Sequence, residues 1–323
     1  MYFVGVDGGA TKTLAILSDD SGKILGWGLA GPSNYHHVGL EGAMNAIKES
    51  VKKAMSMANV EHINVLCCGL AGADTKKDQE ILHEGLCSLG LAEKSILVHD
   101  AVIALMGATA GKPGIIIIAG TGSVASGMNE RGEYARAGGW GPILGDEGSA
   151  YYIAREGLAA VLRSYDGREE KTMLTSEFLK AMDITEVEDI INKVYVEKVG
   201  VEYIAGLAPV VTKCAQAGDK VALRIVNNAA RELARLAIAL INKLNMRDLE
   251  FPIALVGGVF KAGEVIIRPL SEEINKVAPR AKITTPRLPP CAGALIIALK
   301  EGGIELSETV IRNIEHCLKN IPT

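Results

Sequence analysis

Apolar and polar positions along this chain repeat with two different periods, and the changes of period mark its elements. Residues 2 to 6 and 13 to 17 are short apolar, β-prone runs on either side of Asp7-Gly8-Gly9-Ala10-Thr11-Lys12, which predicts a β-hairpin with a glycine-bearing tip. Asp19-Asp20-Ser21-Gly22 makes the next turn, residues 23 to 29 return as a third antiparallel strand, and residues 31 to 34 form a loop. From Leu40 onward Ala43, Met44, Ile47, Val51, Ala54 and Met55 recur at helical spacing, with Lys48, Glu49, Lys52 and Lys53 on the wet side. A strand over 64 to 69, a helix over 76 to 88 and a strand over 95 to 98, ending in His99-Asp100, complete the order βββαβαβα. Strands that alternate with helices after an antiparallel start imply an α/β fold with a mixed sheet covered by helices.

The pattern then begins again. Residues 114 to 118 read as a buried strand, Gly120-Thr121-Gly122-Ser123 as a second glycine and hydroxyl turn, and 124 to 128 as the strand leaving it. A helix is expected over 146 to 162 with Asp146 as its N-cap, followed by a helical insertion to about 243. In the last and longest helix of that insertion Val226, Ala229, Leu233, Leu236 and Leu240 share one face. A strand over 252 to 256 ending in Gly257-Gly258, a helix from 264 to 277, a short strand around Ile283 and two further helices close the chain. A phosphate-type hairpin that opens each of two domains is more specific than either copy alone, because two facing hairpins can grip one nucleotide across a cleft.

Length and composition narrow the partners. A chain of 323 residues, 48% hydrophobic and 22% charged, is ordinary for two globular domains. With 34 basic and 38 acidic residues the net charge is −4, which gives no electrostatic footprint for nucleic acid or an anionic membrane. The apolar runs fall short of the roughly 20 residues of a bilayer span, and the chain opens directly on a strand, so a cytoplasmic location is expected. Six cysteines show neither a CxxC pair nor zinc spacing and read as reduced thiols, mostly buried.

The candidate chemistry sits in the two turns and at the strand ends. Gly8 and Gly9 offer bare backbone N–H groups that, with the Thr11 and Thr13 hydroxyls, can cradle an anion. Asp7, where the strand enters the turn, can hold a metal ion on phosphates, for Mg²⁺ usually through water. The spacing is not that of a Walker loop, since a strand rather than a helix follows. An ordinary Asp-Gly-Gly turn explains the same residues without a ligand. Thr121 between two glycines is harder to explain structurally, because glycine weakens a strand unless something approaches closely. Asp100 stands at a strand end where α/β sheets gather their sites, but Asp is also a preferred N-cap and residues 101 to 110 look helical. Lys12 reads as surface, His36 and His37 as loop residues, and the Trp140 ring as core packing.

Taken together, the Asp-Gly-Gly-x-Thr-Lys-Thr hairpin, Asn34 in the following loop, the strand ending in Asp, the Gly-Thr-Gly-Ser hairpin and the late Gly-Gly resemble the superfamily of sugar kinases, actin and heat-shock chaperone ATPases. The run from Gly138 to Tyr151, Gly-Gly-Trp-Gly-Pro-Ile-Leu-Gly-Asp-Glu-Gly-Ser-Ala-Tyr, is similar to the N-acetylglucosamine kinase branch and its BadF/BcrA-type ATPase relatives. The resemblance implies two ribonuclease H-like domains flanking a nucleotide cleft, residues 1–112 and 113–304. The second is the larger, through an insertion at about 150–243, and a final helix within 305–323 packs back on the first.

It also implies roles. Gly8, Gly9, Thr11, Gly120, Thr121, Gly122 and Ser123 would meet the phosphates of ATP, Gly206, Gly257 and Gly258 would line the nucleoside pocket, and Asp7 would hold Mg²⁺. Asn34, Asp100, Asp146 and the backbone of Gly139, Trp140 and Gly141 would bind sugar, with Asp100 as the general base. In N-acetylglucosamine kinases of higher organisms a tryptophan two positions after the loop Asn walls the acetamido pocket. Here that position is His36, preceded by Tyr35, which predicts a relaxed demand for the acetyl group.

The expected activity is ATP-dependent phosphorylation of a hexosamine or hexose: N-acetylglucosamine, glucosamine or glucose. The alternative is an ATPase that energises a partner protein. Its 2-hydroxyacyl-CoA dehydratase activator relatives bridge a dimer with an iron–sulfur cluster, for which the adjacent Cys67 and Cys68 of an apparent strand are poorly placed. A nucleotide-switched binding module would have no need of Asn34, Asp100 and Asp146. A homodimer is compatible with the resemblance.

Overall fold

The computed structural model describes residues 1–322 and divides into two units, each built on a five-stranded sheet. The first unit begins with β1 (Tyr2–Gly8), β2 (Thr13–Asp19) and β3 (Ile24–Ala30), an antiparallel meander. Helix α1 (Tyr35–Ala58) follows, then β4 (Val65–Leu70), α2 (Lys76–Ser88), β5 (Lys94–His99) and α3 (Asp100–Ala108). β4 pairs parallel to β1 and β5 parallel to β4, giving the order β3-β2-β1-β4-β5. The first helix starts five residues before the apolar repeat does. Asn34 caps it, and Gly39 interrupts it at φ 72°, a conformation that costs glycine little.

The second unit, 113–285, repeats this topology. β6 (Gly114–Ala119), β7 (Ser123–Met128) and β8 (Tyr134–Gly138) form its antiparallel meander. Between them and β9 (Pro252–Val256) lie α4 (Gly141–Leu144), α5 (Ala150–Tyr165), α6 (Leu174–Met182), α7 (Asp189–Ile191), α8 (Val201–Gly206), α9 (Ala208–Gln216) and α10 (Lys220–Lys243). α11 (Glu264–Asn275) and β10 (Lys282–Thr284) complete the order β10-β9-β6-β7-β8. The long apolar face predicted for α10 is real: Val226, Ala229, Leu233 and Leu240 are buried against the sheet and the other helices.

The chain from Pro286 onward returns to the first unit as α12 (Pro290–Glu301) and α13 (Glu308–Leu318), so the division falls at 285 rather than 304. Glycines explain why α12 belongs here. A Cβ on Gly5 of β1 would stand 2.2 Å from the Leu295 nitrogen, and one on Gly293 would stand 1.9 Å from the Ile103 oxygen of α3. The helix is seated backbone to backbone on both elements, a closeness only glycine allows. α13 covers the meander, where Asn313 donates to the Ser21 carbonyl at 2.8 Å.

Candidate active site

In the first unit β1, β4 and β5 run parallel in register, with Gly8 opposite Leu70 and Leu70 opposite His99. Their C-terminal ends therefore bring Asp7, the loop after Leu70 and the His99-Asp100 pair to one edge of the sheet. Burial pushes the Asp7 carboxyl up to about 6, the Asp100 charge adds to this, and Lys12 opposes it. Lys12 is solvent-exposed as expected, yet its charge is felt at Asp7.

Asp100 is not the N-cap of α3. β5 stays paired through His99, which is extended; the helix begins at the next residue, Asp100, one earlier than a cap at Asp100 would give, and His99 caps it, Nδ1 accepting from the Ala101 N–H at 3.1 Å. The same Nδ1 lies 2.9 Å from Oδ1 of Asp100, and Nε2 lies 3.1 Å from Oδ1 of Asp74. These contacts, the hydrogen bond with Asp100 first, raise the His99 pKa against the opposing effect of burial.

The first turn is tighter than its glycines suggest. The Gly9 N–H donates to the Lys12 carbonyl at 3.0 Å, and the Gly9 carbonyl accepts from Ser33 and Asn34. The N–H groups of Ala10, Thr11 and Lys12 have no partner among the described residues, and Thr11 is exposed. Two expectations change. A Cβ on Gly8 would meet Ser33 Oγ at 2.3 Å and Leu70 at 2.5 Å, so this glycine serves internal packing. Thr13 is fully buried and donates to the Gly31 carbonyl at 2.7 Å, which takes its hydroxyl out of any anion cradle. The Asn34 side chain accepts from the His36 N–H at 3.1 Å and faces the loop at Gly72. Beside it Tyr35 donates to Asp78 and lies 4.1 Å from the His36 ring, while His36 and His37 are exposed.

The second turn is built like the first. The Gly120 N–H closes it on the Gly122 carbonyl at 2.9 Å, leaving the N–H groups of Thr121 and Gly122 without a partner among the described residues. Ser123 departs from its expected role, because its hydroxyl donates to the Glu147 carbonyl at 2.7 Å.

Asp146 does not cap α5. It adopts φ 58°, a left-handed conformation that costs a non-glycine residue about 1 kcal/mol or more, and the resulting turn passes the cap to Ser149, whose Oγ accepts from the Tyr152 N–H at 3.1 Å. The strain aims the Asp146 side chain at the phosphate-type turn: a Cβ on Gly122 would lie 2.6 Å from its Oδ2. Asp146 is only 9% exposed.

Two cavities flank this turn. One of about 440 Å³ is lined by residues 120–123, Gly139, Gly141 and Asp146. The other, of about 530 Å³, shares Gly120 and Thr121 and is walled by α8, α9 and the segment after β9, including Gly206, Gly258, Glu202, Thr212, Lys213, Gln216 and Lys261. Gly257, at φ 114°, brings β9 against the end of β6, where a Cβ would lie 2.2 Å from the Ala119 oxygen. The polar walls from α8 and α9 were not read from the sequence, since helices of an insertion carry no mark of what they face.

The Trp140 ring is 73% exposed rather than packed, because positive-φ Gly139 and Gly141 hold the residue out on a loop, with the Arg136 guanidinium 5.6 Å from the ring centroid. The Gly139 N–H already donates to the Ser123 carbonyl and the Gly139 carbonyl accepts from Arg136, at 2.9 and 2.6 Å.

The pattern that defines the BadF/BadG/BcrA/BcrD ATPase family matches residues 4–298. The chain belongs to this family. Within its wider kinship, an N-acetylmuramic acid/N-acetylglucosamine kinase of Clostridium acetobutylicum is 36% identical over 93% of this chain and 99% of its own length. An N-acetyl-D-glucosamine kinase of Dictyostelium discoideum is 34% identical over 92% of this chain and 97% of its own. A crystal structure of a provisionally assigned N-acetylglucosamine kinase from Chromobacterium violaceum superposes with a TM-score of 0.65 at 25% identity, over 92% of this chain and 98% of that one. The two-sheet architecture of this BadF-type chain is thus the actin-like ATPase fold of sugar kinases. Cys67 and Cys68 are buried in β4 with thiols pushed up by burial, and among the described residues no helix is long and apolar enough to cross a membrane.

Proposed function

We propose that this protein is an ATP-dependent sugar kinase acting on a hexosamine, N-acetylglucosamine included, with Asp100 as general base. The observation that carries the reading is the buried Asp146 carboxylate held against Gly122. An anion beside a phosphate-binding turn is unfavourable unless a donor stands between them, and a sugar hydroxyl giving its hydrogen to Asp146 is such a donor. An ATPase that only energises a partner has no use for that arrangement. The kinase relatives, each acting on an amino sugar by name, support the same substrate class.

Each unit supplies a different part of the chemistry. In the second, the larger cavity takes the nucleoside, and the open N–H groups and hydroxyl of the second turn take phosphate oxygens. Asp146 and the smaller cavity orient the acceptor. In the first, the Ala10 to Lys12 N–H groups are open donors suited to phosphate oxygens, Asn34 suits a sugar hydroxyl, and Asp100 accepts the proton of the attacking oxygen. Asp7 fits a divalent cation: it is a half-buried carboxylate pushed toward its neutral form by burial and by Asp100, and a bound cation would relieve both effects. Mg²⁺ held there would neutralise charge on the β- and γ-phosphates.

The test is ATP consumption with and without free sugar. A kinase is stimulated by N-acetylglucosamine and yields one sugar phosphate per ADP; a rate that stays flat across hexoses and hexosamines would overturn the reading in favour of a partner-driven ATPase.

A further inference from the structure

The three-residue line from Asp74 through His99 to Asp100 has a proton arrangement that bears on how the base works. With the Ala101 N–H directed at Nδ1, the neutral imidazole carries its hydrogen on Nε2 and donates it to Asp74, 3.1 Å away. Nδ1 then presents a lone pair to Oδ1 of Asp100 at 2.9 Å. Two acceptors at that distance repel until a proton lies between them. Phosphoryl transfer to a hydroxyl supplies one proton, and it arrives at Asp100.

We propose that His99, held in place by Asp74, is the positioning residue of the Asp100 base and the group to which Asp100 hands the proton taken from the acceptor. The inference rests on the assignment of Asp100 as general base. The steps balance: the acceptor O–H breaks and its proton goes to Asp100, the new O–P bond forms as the bond to the ADP oxygen breaks, and ADP leaves with the electron pair. The proton passes from Asp100 to Nδ1, whose lone pair turns from the Ala101 N–H, and the imidazolium is held between Asp74 and Asp100; after the products leave, Nδ1 returns the proton through the Asp100 carboxylate, 42% exposed, to water, which restores the Nε2–H imidazole and the helix cap. His99 at 24% exposure is shielded enough to keep its orientation, and Asp100 is open enough to exchange its proton with water.

Among the described residues, titratable groups near the pair include some from other elements. Asp74 lies on the loop after β4, Asp7 on β1 with Lys12 behind it, and the Cys291 thiol of α12 faces Asp7. Burial pushes that thiol up to about 12, so it stays neutral through the working range. Two groups among them change charge near neutrality: Asp7, pushed up to about 6, and His99, whose raised pKa keeps it cationic on the acid side. There it favours the ionised, competent form of Asp100.

The experiment compares His99→Gln, Asp74→Asn and Asp100→Asn in the full-length protein, reading kcat, KM for both substrates, the pH profile and the thermal midpoint. His99→Gln should lower kcat by about 10- to 100-fold, the usual effect of removing an orienting partner, with both KM values within about twofold. Its acid limb of kcat/KM should move up by about one pH unit, since the favouring charge is gone. Asp74→Asn keeps the imidazole and the helix cap, so it preserves the test where His99→Gln disturbs folding, and it should shift the limb in the same direction by less. A merely structural role would lower the thermal midpoint and leave the pH profile in place, which overturns the inference. So would wild-type kcat in His99→Gln beside an inactive Asp100→Asn, whereas a fully active Asp100→Asn would remove the base assignment itself and the inference with it.

Discussion

Gly122→Ala isolates the contact between the phosphate-type turn and Asp146. The new Cβ would lie 2.6 Å from Oδ2 and 3.0 Å from Cγ of Asp146, and ordinary contact begins at 3.4 Å, so the carboxylate must move by about 0.8 Å. The backbone can stay, because Gly122 has no positive φ and the obstructing atoms are the end of a side chain. Stability should therefore change by no more than about 1 kcal/mol, with the loss of glycine freedom in the unfolded chain partly offsetting the crowding. Misplacing a positioning group by close to 1 Å costs on the order of 100-fold in rate, about 2.7 kcal/mol. The expected result is a fall of that size in kcat/KM for the sugar, with KM for ATP within about threefold because the turn keeps its N–H groups. Initial rates of ADP release across a sugar titration, paired with a thermal melt, measure it. Wild-type kcat/KM in a folded Gly122→Ala protein would refute the role given to Asp146.

A Cβ on Gly120 meets nothing within 4 Å, so Gly120→Ala should leave stability unchanged yet weaken ATP binding by at least about fivefold if a phosphate approaches that backbone; calorimetry showing unchanged affinity counts against it. Asp7 has a folded pKa of about 6 against 3.8 for the free side chain, so its unfolded state releases the proton first, and stability falls between about pH 4 and 6. In metal-free buffer Asp7→Asn should accordingly be more stable than wild type at pH 7.5, by up to about 3 kcal/mol, and close to it near pH 3, below both pKa values; a gain undiminished at pH 3 would contradict the sign. His36 at the position of the acetamido wall predicts an N-acetylglucosamine to glucosamine ratio in kcat/KM below about 10³, and a larger ratio measured under one set of conditions would show that another group reads the acetyl.

The fold was legible because its signals are local and repeated. Two apolar runs around a glycine turn, twice, specify the two antiparallel meanders, and alternating strands and helices specify the parallel additions. The helix starts at Asp100 and Asp146 were misread for one reason. Asp is a good cap wherever a helix begins, but strand pairing through His99 and a left-handed turn at Asp146 decided which residue occupied the cap, and neither is written in local composition. Hydroxyls were over-assigned to phosphate because Thr13 and Ser123 find internal carbonyls that only the fold brings near. The neighbours of Asp100 went unread likewise: Asp74 is 25 residues from His99, and only the parallel register of β4 and β5 brings them together.

The seating of α12 on Gly5 has a consequence for how the protein is made. The first sheet is synthesised early, but the helix that covers one of its faces begins at Pro290. At about 5–20 residues per second a ribosome takes roughly 10 to 35 s to travel from residue 112 to that point, during which β1 waits with its glycine groove uncovered. The second unit, continuous in sequence, has everything it needs to fold in that interval. The part of the protein that carries Asp7 and Asp100 is thus begun first and finished last, and a chain truncated before α12 would expose an apolar sheet face to the chaperones and proteases that meet nascent proteins.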